Sequence, residues 1–88
     1  MKAIRKAHEV ECIQYNNNPH EVHEAYSEFI RRPVEVLNYP ALIILKSGYY
    51  WDVVIYNNDW LVMSCNFSTD GVDVLTDKEF NEQYERLN

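Results

Sequence analysis

His20-Glu21-Val22-His23-Glu24 is the densest run of metal-ligating and acid–base side chains in this 88-residue chain. It departs from the zinc-protease pattern His-Glu-x-x-His, because the residue four after His20 is Glu24 and not a second histidine. On a helix, His20 shares a face with His23 (three apart) and with Glu24 (four apart), so a pair of them can hold one ion. Cys65, Cys12 or His8, brought in from elsewhere, would complete a tetrahedral set suited to zinc, and such a site would help staple a small core. The plain alternative is a solvated polar helix face, which is the commoner fate of such a run. Cys12 and Cys65 also qualify as nucleophiles or redox thiols, if a nearby base lowers their pKa. Their apolar, strand-like setting favours the role of small core residues instead.

The rest of the chain offers little to a catalyst. Its two glycines, Gly48 and Gly71, make no phosphate-binding loop, and no Gly-x-Ser-x-Gly elbow occurs. No Ser-His-Asp order is convincing, and a chain this short has little room for an enclosed pocket. The expectation is a protein that is not an enzyme.

Charge is more informative. Fourteen acids against eight Lys and Arg give a net charge of −6. Six acids fall in the last 19 residues: Asp70, Asp73, Asp77, Glu79, Glu82 and Glu85. Bases cluster elsewhere, at Lys2-Arg5-Lys6 and Arg31-Arg32. A general nucleic-acid binder needs cations to neutralise phosphates, so direct binding to nucleic acid is not expected. The C-terminal acids instead suit a protein partner with a basic groove, where carboxylates stand in for phosphates. Their competing reading is an ordinary solvated surface.

The elements that must position these groups read as follows. Residues 7–15 alternate, with Val10 and Cys12 on one face and Glu9 and Glu11 on the other, which predicts a strand. Asn18-Pro19-x-Glu21 is a helix start, and Val22, Ala25, Tyr26, Phe29 and Ile30 form its apolar stripe. Arg31 and Arg32 fall in the expected last turn, and Pro33 stops the helix. Residues 33–40 are a connector with a short edge strand at 34–37. Three β-rich runs then occupy 41–75, with reversals at Ser47-Gly48 and Asn57-Asn58-Asp59. In the middle run Tyr49, Trp51, Val53 and Ile55 share one side, and Tyr50, Asp52, Val54 and Tyr56 the other. Both sides are apolar, so one packs under the helices and the other is either covered by the connector or left for a partner. A loop over 68–71 and a short strand over 72–75 follow. Thr76-Asp77-Lys78-Glu79 is a capping box, Leu75 and Phe80 make a hydrophobic staple, and Phe80, Tyr84 and Leu87 line one helix face. The sum is one domain over residues 1–88. It is an α+β fold with a mostly antiparallel sheet of four to five strands and two helices, in the order β-α-β-β-β-β-α, with the short edge strand at 34–37 left out of the count.

No apolar run is long enough to span a membrane, and the first residues lack an apolar signal core, so a cytoplasmic protein with reduced thiols is expected. A single Cys12–Cys65 disulfide stays open as the alternative.

Two stretches resemble a family of small bacteriophage proteins of uncharacterised function. Lys6-Ala7-His8-Glu9-Val10-Glu11-Cys12-Ile13-Gln14 is similar to that family's opening, Lys-Pro-Val-x-Val-Glu-Ala-x-Gln. Asp59-Trp60-Leu61-Val62, followed by Phe80 and Tyr84-Glu85, is similar to its close, Gly-Asp-Trp-Ile-Ile and then Phe-x-x-x-Tyr-Glu. Ala7 stands where the family has Pro, Asn58 where it has Gly, and the segment from Trp60 to Phe80 is a few residues longer. The resemblance implies a phage origin and a related fold, and it carries over no active site. Joined to the charge pattern, it gives an expected function. That function is an acidic, phage-type interaction protein in the host cytoplasm that inhibits a nucleic-acid-handling enzyme, such as a CRISPR effector or another defence nuclease. The alternatives are a self-associating phage accessory or assembly protein, and a small zinc-stabilised module.

Overall fold

The computed structural model describes residues 2–5, 8–48, 51–65 and 70–87, in part by backbone alone. Helix α1 (Pro19–Ile30) begins as its sequence dictates. Asn18 Oδ1 accepts from the Glu21 backbone N–H at 3.3 Å, Asn18 Nδ2 donates to Glu21 Oε2 at 3.2 Å, and Pro19 fills the first helical position. Val22, Tyr26 and Ile30 are buried, and Ala25 and Phe29 are half-buried beside them. The helix ends one residue earlier than the arginine pair suggests. Arg31 takes a left-handed conformation (φ 56°), and its N–H donates to the Ser27 carbonyl, so neither Arg31 nor Arg32 lies in the last turn.

The described residues form eight strands in two antiparallel sheets, not one sheet of four to five. The labels are β1 (Lys2–Arg5), β2 (His8–Gln14), β3 (Glu35–Asn38), β4 (Leu42–Lys46), β5 (Val53–Tyr56), β6 (Trp60–Cys65), β7 (Asp70–Leu75) and β8 (Glu85–Leu87). The larger sheet has the order β7-β6-β2-β1-β8, and the smaller has β3-β4-β5. The α+β class with two helices is as expected; the partition into sheets is not.

The difference arises at Asn57-Asn58-Asp59. The Asn57 N–H donates to the Ala41 carbonyl, which extends the β4–β5 ladder by one rung. One residue later the Asn58 N–H donates to the Tyr15 carbonyl at 2.7 Å, and the Tyr15 N–H donates to the Asp59 carbonyl at 2.9 Å, which extends the β2–β6 ladder. The chain therefore changes sheets within this turn, with Asn58 at φ 75°. Asp59 locks the turn: its N–H donates to the Tyr56 carbonyl, and its Oδ2 accepts from the Tyr56 N–H. Strand β6 is thereby central, flanked by β2 and β7. Its unbroken apolar run Trp60-Leu61-Val62-Met63 is buried on both faces, as a central strand demands.

Those two faces define two cores. Leu61 and Met63 join Tyr15, Val22, Tyr26 and Ile30 and the inward side chains of the small sheet, Ile43, Leu45 and Ile55. Trp60 and Val62 join Ala3, Val10, Cys12 and Phe80 on the opposite face. The large sheet is thus a middle layer, with α1 and the small sheet on one side and α2 (Asp77–Gln83) on the other.

Helix α2 has the expected capping box. Thr76 Oγ1 accepts from the Glu79 N–H at 3.2 Å, and Glu79 Oε1 accepts from the Thr76 N–H at 2.9 Å. Leu75 packs into the same cluster as Phe80, as a staple should. The helix is shorter than the Phe80–Tyr84–Leu87 stripe implies. Tyr84 is extended (φ −128°, ψ 149°), and Glu85–Leu87 forms β8 on the edge of β1. That edge supplies ladder hydrogen bonds, whereas a further turn on so short a helix is marginal.

Candidate functional site

Among the described residues two surfaces stand out: the acidic surface around α2, and the outer face of the small sheet.

The six C-terminal acids do not lie on one helix. Asp70 and Asp73 are on β7, Asp77, Glu79 and Glu82 on α2, and Glu85 on β8. For Asp70 and Glu85 only the backbone belongs to the described residues. Asp73, Asp77, Glu79 and Glu82 are exposed, yet they are not equivalent. Asp77 Oδ1 accepts from the Trp60 indole Nε1 at 2.8 Å and from Gln14 Nε2 at 3.3 Å, tying the start of α2 to the central strands. Glu79 closes the capping box. The Thr76 backbone N–H first, and the Thr76 hydroxyl second, hold its carboxyl below the usual carboxylate range, outweighing a small opposing effect of desolvation. Asp73 and Glu82 lie at the free surface of the same region. The platform beneath is stiff: the Trp60 and Phe80 rings stack at 3.9 Å with 5° between their planes, and Tyr84 stacks on Phe80 at 5.3 Å.

The small sheet covers α1 and the large sheet with one face and leaves the other open. Its register arranges the open face as three rows. Tyr39, Leu42 and Tyr56 make the first, with the Tyr39 N–H bonded to the Leu42 carbonyl. Leu37, Ile44 and Val54 make the second. Glu35, Lys46 and Asp52 make the third, with Lys46 Nζ 3.8 Å from Asp52 Oδ2. Tyr39, Tyr56 and Val54 are 50%, 54% and 41% exposed, and nearby Trp51 is 93% exposed. Val54 and Tyr56 thus face outward as strand alternation predicts, and the connector does not cover them. Trp51 also borders a groove of about 340 Å³ between β5 and β7, floored by Tyr26, Val53, Val72 and Val74.

The metal-ligand candidates are dispersed. His20 Nε2 lies 3.4 Å from Glu24 Oε2 on the solvated side of α1. His23 turns the other way, with Nε2 2.6 Å from the Val34 carbonyl, so this nitrogen donates a hydrogen bond and holds the connector against the helix. Cys12 is buried against Trp60, Val62 and Phe80, on the face of the large sheet opposite α1. Among the described residues no three His, Cys, Asp or Glu side chains gather as a metal site. The side chains of Cys65 and His8 lie outside the described residues. The strand register also bears on a Cys12–Cys65 disulfide. Cys12 pairs with Val62, so Cys65 lies three residues further along β6, roughly 10 Å at strand rise. That exceeds the Cα separation of about 7 Å that a disulfide tolerates.

Two features were missed by sequence reasoning. The Trp60–Asp77 hydrogen bond joins residues 17 apart on different elements, and no local pattern encodes it. The sheet change at Asn57–Asn58 had one legible signal, the all-apolar run of β6, which marks a central strand and not the third strand of a meander. Among the described residues no helix is long and apolar enough to cross a membrane. No family model, curated protein or solved structure matches the chain.

Proposed function

We propose that this chain is an acidic, phage-type interaction protein that docks on a basic groove of a host nucleic-acid-handling enzyme and blocks it, a defence nuclease such as a CRISPR effector being the favoured target. One observation carries this reading: exposed carboxylates on β7 and α2 sit on a rigid aromatic platform in a chain of net charge −6. Asp77 and Glu79 are already held by hydrogen bonds within the chain, so Asp73 and Glu82 are the carboxylates that a partner's Arg or Lys side chains would reach. The resemblance to small phage proteins supports the biological setting.

The test uses residues that leave the fold alone. Charge reversal at Asp77 or Glu79 would confound binding with stability, because both hold α2 in place. Asp73→Lys and Glu82→Lys act at the surface. In capture from a bacterial lysate, the unaltered protein is expected to retain a nucleic-acid enzyme that single-stranded DNA displaces, and the double variant is expected to lose it. Equal capture by both proteins would remove the acidic surface from the account.

A further inference from the structure

We infer that the open face of the small sheet is a self-association surface, occupied by the same face of a second copy of this chain. The inference is independent of the proposed function, since it uses a different side of the molecule.

The face has the composition of an interface and the wrong chemistry for other occupants. Two of its three rows, Tyr39–Leu42–Tyr56 and Leu37–Ile44–Val54, are wholly apolar or aromatic. The third, Glu35–Lys46–Asp52, brings one cation and two anions together, and Lys46 is ion-paired with Asp52. Stacking of single-stranded nucleic acid needs cations beside the rings, and an anionic membrane needs a basic cluster. Lys46 alone supplies neither. A strongly basic partner would find only Glu35 and Asp52, both beside Lys46. What remains is an apolar partner of nearly neutral surface, and this face is itself one.

The geometry is self-complementary. A two-fold axis parallel to the rows, lying between the two apolar ones, sets the Tyr39 row of one copy on the Leu37 row of the other. Both charged rows then fall at opposite rims, in water, where interfaces carry their polar groups.

Area sets the strength. At roughly 200 Å² per whole aromatic side chain, the exposed halves of Tyr39 and Tyr56 amount to about 200 Å². With Val54 and the half-buried Leu37, Leu42 and Ile44, the two apolar rows offer about 350–400 Å², within what a monomer leaves uncovered. Two such faces bury about 700–800 Å², below the size of a stable interface and in the range of transient contacts. The expected dimer is therefore weak and depends on protein concentration.

Charge supplies the distinguishing signature. Each copy carries −6, so the copies repel at long range, and salt shortens that repulsion from about 10 Å at 0.1 M to about 3 Å at 1 M. Dimerisation must strengthen as salt is added.

Sedimentation equilibrium of the full chain tests this. The unaltered protein is expected to shift reversibly from monomer to dimer with concentration, and further towards dimer with sodium chloride. Val54→Lys is expected to raise the dissociation constant about tenfold or more, although it lowers the net repulsion, and Tyr56→Ser should weaken the dimer without any charge change. Both residues are exposed, so the melting temperature of the dilute monomer should hold. A monomer at every concentration and salt overturns the inference. So does a dimer that both variants leave intact, or one that weakens as salt rises.

Discussion

At the scale of single residues, several exposed polar side chains have structural work to do. Asp77 shows it best. Its Oδ1 meets the Trp60 indole N–H at 2.8 Å, and a hydrogen bond to a charged group contributes about 1.5–3 kcal/mol. Asp77→Ala is expected to lower unfolding free energy by about 1–3 kcal/mol in urea titrations. Asp77→Asn keeps an oxygen acceptor and should lose less than half of that. Thr76→Ala removes the cap that faces Glu79, at an expected cost of about 1 kcal/mol. The Thr76 contacts depress the Glu79 pKa on folding, so their contribution is complete above the unfolded pKa of this carboxyl and is lost as pH falls through the folded one. Acid titration of stability should therefore fall less steeply in Glu79→Gln, which keeps an oxygen acceptor for the Thr76 N–H but cannot titrate, than in the unaltered chain over that interval. An unchanged acid limb would show that ionisation of Glu79 contributes nothing to the capping box in solution. His23 is similarly occupied: its bond to the Val34 carbonyl makes it a tether between α1 and the connector.

At the scale of elements, local signals were readable and pairings were not. The Asn18 and Thr76 caps, the stripe on α1 and the strand identity of residues 8–14 all follow from spacing and residue type, and each appears in the structure. The choice of partner for β5 and β6 rests on non-local contacts: Tyr15 draws Asn58 and Asp59 into the large sheet from 40 residues or more away. The end of α2 is likewise set by a non-local contact, because the edge of β1 competes for Glu85–Leu87. The acidic run was legible as composition, but its division among β7, α2 and β8 was not. Helix α2 depends on its single buried side chain. Phe80 is fully buried and stacked on Trp60, so Phe80→Ala is expected to cost about 3–5 kcal/mol. Phe29 on α1 is only half-buried, so Phe29→Ala should cost clearly less than Phe80→Ala in the same urea experiment. The reverse ranking would mean that α2 is not held by the aromatic stack.

At the scale of the whole molecule, the fold separates two kinds of surface. The large sheet stands between them, with the carboxylates of α2 on one side and the small sheet, with its open apolar face, on the other. Their dependence on salt has opposite signs. Binding of a basic partner to the carboxylates should weaken as ions screen it, and pairing of the apolar faces should strengthen. The central claim is that the acidic surface recognises a basic groove. The most direct measurement is capture from a host lysate at low and at high salt, using the unaltered chain and the Asp73→Lys/Glu82→Lys variant, with the retained proteins identified by mass spectrometry. The account predicts one nucleic-acid enzyme, retained at low salt, released at high salt and absent with the variant. Retention that persists at high salt and is indifferent to the variant would contradict it.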